Sequence, residues 1–474
     1  MKPFKNLTIL KILDYYKDLW ALSYTSAVAH WDLETYMPKK GAGVRGQALG
    51  RLAVIRQKMF LDKDFVKLIH KASAQRGLSD QESGVIRVLL KSLSFYEKVP
   101  STFLEEFENL TNTATVIWRE AKEKENFNLF VKDLDKIFTM NRQMAEYIGY
   151  VDSPYDALLD LYEEKLTSQT VSSFFDEIRY PLQTLLKQIT TSKKYFKTHW
   201  LEDQKYSKEE MYKLNGKVLA SLWGDMDRFR LDISTHPFTT SFGKNDTRIT
   251  TWYHDTDFAR SLLATIHEFG HALYDLQSAD SLEMTPIAGG SSLVIHESQS
   301  RFWENFVGRS DGFIGRRPGF IKKFLPDFEK VVGKKLTVDD VSRYFNKVSP
   351  SLLRVEADEV TYHFHIMLRY EIEKDIIEGK LKVKDIKEVW NTKMKEYLGI
   401  IPKKDSEGVL QDIHWSGGSV GYFPTYSLGT FLGAQWTEAM KVGPLYIASK
   451  GPTFTEVKQW LEKNIHQYGS TYTL

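Results

Sequence analysis

Cysteine is absent from the 474 residues. This excludes disulfide bridges, thiolate ligands for a metal and a cysteine nucleophile together. Proline is scarce, with 14 residues scattered along the chain, and no internal repeat or low-complexity linker stands out. The net charge is only +2, which argues against an extended nucleic-acid surface or a role on acidic membranes. The remaining composition is typical of a globular protein with a large core.

Segments suited to crossing a membrane are also missing from the sequence. The longest uncharged stretch, residues 415–437, contains five glycines and a proline, so we expect a packed loop and helix there. Residues 7–22 are interrupted by charged side chains, which predicts an amphipathic helix rather than a signal peptide. We therefore expect a cytoplasmic protein with neither a membrane nor a nucleic acid as partner.

Hydrophobic periodicity is helical along almost the whole chain. Ser79 and Glu82 form a capping-box pattern before an apolar helix, and further helices are predicted to start at Ser101 and near Thr167. The exception is residues 234–253, which are rich in threonine and predict a hairpin around a turn at 243–246. We expect one domain over residues 1–474, with a helical part of about 1–200 packing on a metal-binding part of about 201–474.

The most informative motif is His267-Glu268-Phe-Gly-His271. Positions i and i+4 share one face of a helix, so both imidazoles can reach a single cation. Glu268 is offset from that face and can act as a general base on a water molecule at the metal. This spacing is typical of zinc peptidases.

The alternative is a helix that carries two hydrogen-bonded histidines and no metal. The sequence around the His267–His271 motif favours the metal site, because Asp255 and Asp257 offer N-caps and residues 258–276 predict one continuous helix. Gly270 inside that helix costs about 1 kcal/mol relative to alanine, which suggests that another segment approaches closely.

Glu297 is the predicted third ligand. It lies early in a second helix that should begin after Gly289-Gly290, be capped by Ser291 or Ser292, and end near residue 308. Two histidines and a glutamate are a catalytic zinc set, although cobalt and manganese also fit such ligands.

The neighbours of Glu297 receive other roles. His296 should point about 100° away from Glu297, outside the ligand set. Arg301 is predicted to form an i,i+4 ion pair with Glu297.

Several longer segments resemble the carboxypeptidase Taq family of metallocarboxypeptidases. They are HEFGH at 267–271, HESQSRFWEN at 296–305, GVLQDIHW at 408–415 with SGGSVGYFPTYSLG after it, HPF at 236–238, DTRIT at 246–250, LRVEAD at 353–358, and WDLETYMP at 31–38. They occur in the family's order, and Leu353 in place of isoleucine or valine is the one clear departure, a conservative one.

The resemblance implies a mainly α fold: a large two-lobed helical body around a deep active-site groove, with a small β-hairpin near the metal helix. It implies hydrolysis of the C-terminal peptide bond with broad side-chain specificity. The partners implied are peptides with a free C-terminus, and the implied assembly is a homodimer.

Two arginines are candidates for holding the substrate's terminal carboxylate, because a guanidinium meets a carboxylate bidentately. From the residues alone, Arg354 pairing with Asp358 and Arg248 pairing with Asp246 are the simpler interpretations. The resemblance favours the substrate role, since both arginines fall on arginines of family motifs.

An oxyanion donor opposite Glu268 is expected from His414, Tyr422 or Tyr426, which lie in or beside a glycine-rich segment. Packing in the core is the alternative for each of them. Gln411 and His236 complete the substrate-binding candidates, although His236 also suits a structural or groove-lining position.

Two other functions remain open at this point. One is an endopeptidase or dipeptidyl-type zinc peptidase on the same helical fold, which should cleave peptides blocked at the C-terminus. The other is a non-catalytic helical protein that binds peptides.

Overall fold

The computed structural model describes residues 4–234, 236–314, 324–440 and 453–474. These ranges are mainly helical with one small sheet, which confirms the predicted fold class. The α-helices of the described ranges are α1 (Leu7–Thr35), α2 (Ala42–Phe60), α3 (Lys63–Ser73), α4 (Asp80–Lys98), α5 (Ser101–Glu123), α6 (Asn128–Ile148), α7 (Pro154–Asp160), α8 (Ser168–Thr190), α9 (Lys208–Trp223), α10 (Phe258–Leu276), α11 (Leu293–Arg301), α12 (Asp311–Ile314), α13 (Leu325–Val332), α14 (Val338–Phe345), α15 (Tyr362–Ile377), α16 (Ile386–Leu398), α17 (Pro424–Ala439) and α18 (Phe454–Asn464). None of the described helices has the length and apolar composition needed to cross a bilayer.

Helix starts follow local capping chemistry. Before α4, Ser79 Oγ accepts a hydrogen bond from the Glu82 N–H at 3.2 Å, and the Glu82 carboxylate accepts one from the Ser79 N–H at 3.0 Å. This is the predicted capping box. Asp257 caps α10 by accepting from the Arg260 N–H at 3.0 Å. The predicted helix over 258–276 is therefore present with the expected bounds.

The sheet in the described residues has three strands, β1 (Phe229–Ile233), β2 (Thr239–Ser241) and β3 (Thr247–Thr251), in the order β1-β3-β2. β2 and β3 form the predicted hairpin and run antiparallel, with Thr239 opposite Ile249. β1 pairs in parallel with β3 and is an addition to the predicted hairpin. A parallel partner has no short connecting turn, so it leaves no hairpin signal in the sequence.

The described chain forms two compact units. Unit 1 comprises residues 1–97, 200–345 and 429–474, and unit 2 comprises residues 98–199 and 346–428. Each unit is thus discontinuous in sequence. The predicted division at about residue 200 coincides with one of these boundaries. The prediction differs in placing residues 1–97 with 98–199, and residues 346–428 with the metal-binding part. The predicted packing of a helical part on a metal-binding part stays a prediction.

In unit 1, α10 packs against α9, α11, β2 and β3. Its apolar side chains, including Leu262, Ile266 and Leu273, are fully buried. Gly270 allows α11 to approach, because a Cβ atom at this position would lie 2.5 Å from the Gln299 carbonyl oxygen. The close approach predicted from a glycine inside a helix is therefore found.

In unit 2, α15 is buried on nearly all sides by α6, α7, α8 and α16. Phe364, Leu368 and Ile372 are fully buried, and so are the charged side chains of Arg369 and Glu373 on the same helix. Buried charges are costly unless they are paired, so these two side chains require specific partners.

Candidate active site

The structure brings the three predicted metal ligands together in unit 1. Glu297 Oε2 lies 3.7 Å from His267 Nε2 and 3.5 Å from His271 Nε2. Ligand atoms bound tetrahedrally to zinc at about 2.05 Å are about 3.3 Å apart, so the observed spacing fits such an ion with little movement. We call His267, His271 and Glu297 the metal centre. Among the described residues it is the one group of this kind.

Two glycines fix the position of α11 beside α10. Besides Gly270, which lies against α11, Gly429 packs on Glu297 itself: a Cβ at Gly429 would lie 2.7 Å from the Glu297 Cβ. Ser292 caps α11, as predicted, by accepting from the Ile295 N–H at 3.3 Å. The third ligand is therefore held by backbone contacts on both of its sides.

Charges around the metal centre keep Glu297 ionised. Burial by itself would raise the pKa of this carboxyl, but His267, His271 and Arg301 outweigh it and lower the pKa to about 2. Arg301 Nε donates to Glu297 Oε1 at 2.9 Å, which is the predicted i,i+4 pair. One oxygen of Glu297 therefore contacts Arg301, and the other lies near the two histidines. The ionised carboxylate is the form that binds a metal.

Glu304, which was not predicted from the sequence, contacts the metal ligand His267 on the side of its Nδ1 atom. His267 Nδ1 lies 2.9 Å from Glu304 Oε2, and Arg301 Nη1 donates to the same oxygen at 3.1 Å. Glu304 belongs to a π-helical segment, Phe302–Val307, that follows α11. Its spacing of seven residues from Glu297, two helical turns, was the signal in the sequence. A carboxylate on Nδ1 leaves Nε2 of the histidine for a metal.

Glu268 is buried and stands apart from the three clustered ligand atoms. Its Oε2 accepts a hydrogen bond from Thr239 Oγ1 at 2.6 Å, and the same hydroxyl lies 3.0 Å from the Glu268 carbonyl oxygen. The predicted hairpin therefore contacts the predicted base through β2.

His296 does not belong to the clustered ligand atoms, although its ring centre lies 5.6 Å from that of His271. Its Nε2 lies 3.9 Å from Asp275 Oδ1, and its ring centre is 4.9 Å from that of Tyr274. Burial, with His271 adding to it, lowers the pKa of His296 to about 3. His296 is thus a neutral, largely buried side chain rather than a surface one.

Two further predicted residues of unit 1 lie in or beside the sheet. Arg248 pairs with Asp246 through two hydrogen bonds of 2.7 Å and lies 4.6 Å from the centre of the Phe242 ring. The alternative pairing considered from sequence is therefore present, and the substrate role of Arg248 stays a prediction. The carbonyl oxygen of His236 accepts from Thr250 Oγ1 at 3.3 Å, which ties its backbone to β3.

In unit 2, the alternative pairing of Arg354 with Asp358 that was considered from the residues alone is absent among the described contacts, and the substrate role of Arg354 stays a prediction. Residues Arg354–Glu356 form a 3₁₀ turn rather than an α-helix, and Asp358 accepts instead from the N–H groups of Val360 and Thr361 at 2.9 and 3.0 Å. The partner of Arg354 is Asp412, whose Oδ1 accepts from Arg354 Nε at 3.0 Å.

Among the remaining predicted residues of unit 2, Tyr426 lies beside Arg354, and His414 and Tyr422 lie beside Tyr426. The Tyr426 ring centre lies 4.9 Å from its guanidinium carbon, and His414 Nε2 lies 3.2 Å from the Tyr426 hydroxyl. The rings of Tyr422 and Tyr426 are 5.2 Å apart between centres. Their expected role as oxyanion donors stays a prediction.

Gln411 has a different place from the predicted substrate contact. Its Oε1 accepts from the Arg354 N–H at 2.8 Å, and its Nε2 donates to the carbonyl oxygens of Leu352 and Glu407. Both amide hydrogens are thereby used. The side chain of Gln411 therefore stabilises the backbone at Arg354, and its amide has no further N–H group for a substrate.

Comparisons with known proteins identify the family. Residues 11–474 match the family described as carboxypeptidase Taq (M32) metallopeptidase. The chain is 45% identical over 472 residues to thermostable carboxypeptidase 1 of Pyrococcus furiosus, covering 99% of this chain and 94% of that one. It is 37% identical to carboxypeptidase 1 of Bacillus subtilis, covering 94% and 89%.

Solved structures agree with the sequence relatives. A structure of the Pyrococcus furiosus carboxypeptidase superposes with a TM-score of 0.93 at 44% identity, covering 99% of this chain and 94% of that one. The M32 carboxypeptidase of Deinococcus radiodurans R1 superposes with a TM-score of 0.91 at 30% identity, with the same coverage. The predicted resemblance is confirmed, and the chain belongs to the carboxypeptidase Taq (M32) family of metallopeptidases.

Proposed function

We propose that this chain is a metal-dependent carboxypeptidase that hydrolyses the C-terminal peptide bond of peptides. The observation that carries the proposal is the metal centre: two imidazole nitrogens within 3.7 Å of one ionised carboxylate oxygen, with a separate buried carboxylate on the neighbouring residue. Membership of a metallopeptidase family with relatives named carboxypeptidases supports the same reaction.

His267, His271 and Glu297 would hold the metal. Bound there, a divalent cation supplies Lewis-acid chemistry, polarising a carbonyl group and acidifying water. Two nitrogens and one carboxylate oxygen favour zinc, and cobalt or manganese are the alternatives. Metal analysis of the purified protein tests this assignment.

Glu268 is the proposed general base. Its Oε2 takes the proton of the attacking water and returns it to the nitrogen of the leaving amine. The Thr239 hydroxyl, 2.6 Å from this oxygen, orients the carboxylate.

Arg354 is the proposed anchor for the substrate's terminal carboxylate, and Arg248 is the alternative anchor. The Arg354 guanidinium has five N–H groups. Its Nε donates to Asp412 and its Nη1 to the Tyr362 hydroxyl, and its Nη2 forms an ion pair with Asp412 at 2.9 Å. In the described part of the chain the other two have no acceptor, which suits bidentate binding of a carboxylate. His414, Tyr422 and Tyr426, whose rings contact one another, are proposed to donate to the developing oxyanion.

Two finer properties are also proposed. Family resemblance supports a homodimer, which sedimentation of the metal-loaded protein would test. The cytoplasmic location predicted from sequence is tested by cell fractionation.

A single experiment separates the candidate functions. A short peptide and its C-terminal amide are incubated with the metal-loaded protein, with and without a chelator. A carboxypeptidase cleaves the free peptide, leaves the amide nearly intact and loses activity with chelator. An endopeptidase cleaves both substrates, and a binding protein cleaves neither.

A further inference from the structure

A buried group of three charged side chains lies in unit 2. Asp412 Oδ1 accepts from Arg354 Nε at 3.0 Å, and its Oδ2 accepts from Arg369 Nε at 2.7 Å. We call these three residues the arginine–aspartate cluster. Arg369 is fully buried and Arg354 nearly so, at 7% exposure. The aspartate is thus shared between two arginines, one oxygen for each.

The cluster carries one uncompensated positive charge. Burial would raise the pKa of Asp412, but Arg354 and Arg369 outweigh it and lower the pKa strongly, so the aspartate is ionised. Burial and the two arginines lower the pKa of the neighbouring His365 well below its usual value, so this imidazole is neutral. Two guanidiniums and one carboxylate therefore leave a net charge of +1, which is costly in a buried site without an anion.

Another buried carboxylate, Glu373, is occupied elsewhere. It accepts from the Tyr155 hydroxyl and Trp415 Nε1 at 2.6 Å and from the Gly421 N–H at 2.9 Å. Burial raises the pKa of Glu373 to about 7, so its charge is only partly developed at neutral pH. It forms no ion pair with either arginine of the cluster among the described contacts.

Arg369 cannot bind a substrate directly. Its side chain has no exposed surface, Nη1 donates to the His365 carbonyl oxygen at 2.6 Å, and the Trp390 ring centre lies 4.5 Å from its guanidinium carbon. Arg369 can therefore act on a substrate only without contact, through its charge and its ion pair with Asp412. If Asp412 had only Arg354 as partner, the pair would be neutral and would attract an anion weakly.

We propose that Arg369 is a positioning residue that gives Arg354 its affinity for a carboxylate, by binding Asp412 and leaving the cluster with a net positive charge. The inference rests on the proposed function, in which Arg354 holds the terminal carboxylate of a peptide. The ligand class is a monoanionic carboxylate, since the cluster lacks one negative charge.

The test uses the metal-loaded enzyme with a short peptide and its C-terminal amide, the amide serving as a competitive inhibitor. The ratio of the amide's inhibition constant to the peptide's KM measures preference for the carboxylate.

Arg369→Gln and Arg369→Met remove the charge, and Arg369→Lys keeps it. Arg179→Gln is the matched control, because Arg179 pairs with Glu371 at 2.8 Å in the same unit and makes no described contact with the cluster.

A unit charge acting over about 7 Å at an effective dielectric constant of about 20 changes affinity roughly tenfold or more. We expect Arg369→Gln and Arg369→Met to lower the ratio by about that factor, mainly through KM rather than kcat. Arg369→Lys should keep most of the preference, and Arg179→Gln should keep all of it while losing thermal stability.

The role of Arg369 is overturned if the neutral variants keep the wild-type ratio, or if peptide and amide binding weaken equally. If neither neutral variant folds, Arg369→Lys decides, because loss of preference with the charge retained contradicts the proposal. A wild-type enzyme without any preference would instead overturn the carboxylate anchor of the proposed function.

Discussion

In unit 1 an arginine lies between two carboxylates, whereas in unit 2 an aspartate lies between two arginines. Arg301 donates to both Glu297 and Glu304, and Asp412 accepts from both arginines of its cluster. Arg301 and the two glutamates by themselves sum to one negative charge, and Asp412 and the two arginines sum to one positive charge.

The difference teaches how a fold prepares sites for ions of opposite sign. A buried group of three unit charges cannot be neutral, so a ligand of the opposite sign stabilises it. We propose that a divalent cation is the ligand in unit 1 and a carboxylate the ligand in unit 2. Changes to each group should therefore affect one kind of ligand and spare the other.

The largest effect should follow Glu297→Ala. It removes a metal ligand and leaves Arg301 with one carboxylate fewer, so we expect loss of nearly all bound metal and all activity. Metal content measured after dialysis checks this. His296→Ala is the control and should retain its metal; a stoichiometric ion in the Glu297 variant would show that another residue is the third ligand.

Glu268→Gln should separate chemistry from metal binding within unit 1. The amide keeps the size and the hydrogen bond to Thr239 but cannot accept a proton, so kcat should fall by about 10²–10⁴. Metal content and thermal stability should be unchanged. Near-normal turnover in a metal-loaded variant would mean that a different group is the base.

Arg354→Ala tests the proposed carboxylate-binding group in unit 2. We expect a loss of roughly 2–5 kcal/mol in transition-state binding for a free peptide, the cost of removing one partner of a desolvated charge pair. Arg354→Lys should recover part of it, because a point charge cannot bind bidentately. Metal affinity should not change. Equal impairment on the free peptide and its amide would transfer the anchor role to Arg248.

The smallest effect is expected from Glu304→Gln. The amide oxygen can still accept from His267 Nδ1, but the negative charge next to the histidine is lost, so metal affinity should fall about 10–100-fold. Competition with a chelator measures the affinity. Glu371→Gln, which removes a carboxylate in unit 2, is the matched control and should leave the affinity unchanged; equal affinities in both variants would show that Glu304 has no such role.

The two groups also differ in how far they could be predicted from the sequence. The metal-centre residues lie on two successive helices, and local rules of spacing and capping predict both α10 and α11. Glu304 was not predicted, although a spacing of seven residues places it on the same side of the helix as Glu297. Its role depends on the π-helical segment and on Arg301, which no local pattern specifies.

The arginine–aspartate cluster joins segments that are 58 and 43 residues apart, so sequence patterns could not show it. Family resemblance marked Arg354 as important, and the partner considered from the residues alone was Asp358. That assignment assumed a helix where the chain forms a 3₁₀ turn. The same limit explains the absence of β1 from the predicted sheet and the discontinuous units, since each depends on contacts between distant segments.

The glycines around α11 have a consequence for laboratory evolution of the enzyme. Gly270 and Gly429 contact α11 and Glu297 so closely that a single added methyl group would have to push one backbone aside. Such a push would change the width of the metal centre while leaving its three ligands chemically intact. Libraries that aim to change which ion the enzyme prefers can therefore vary these two glycines, since ions of different radius require different ligand spacing.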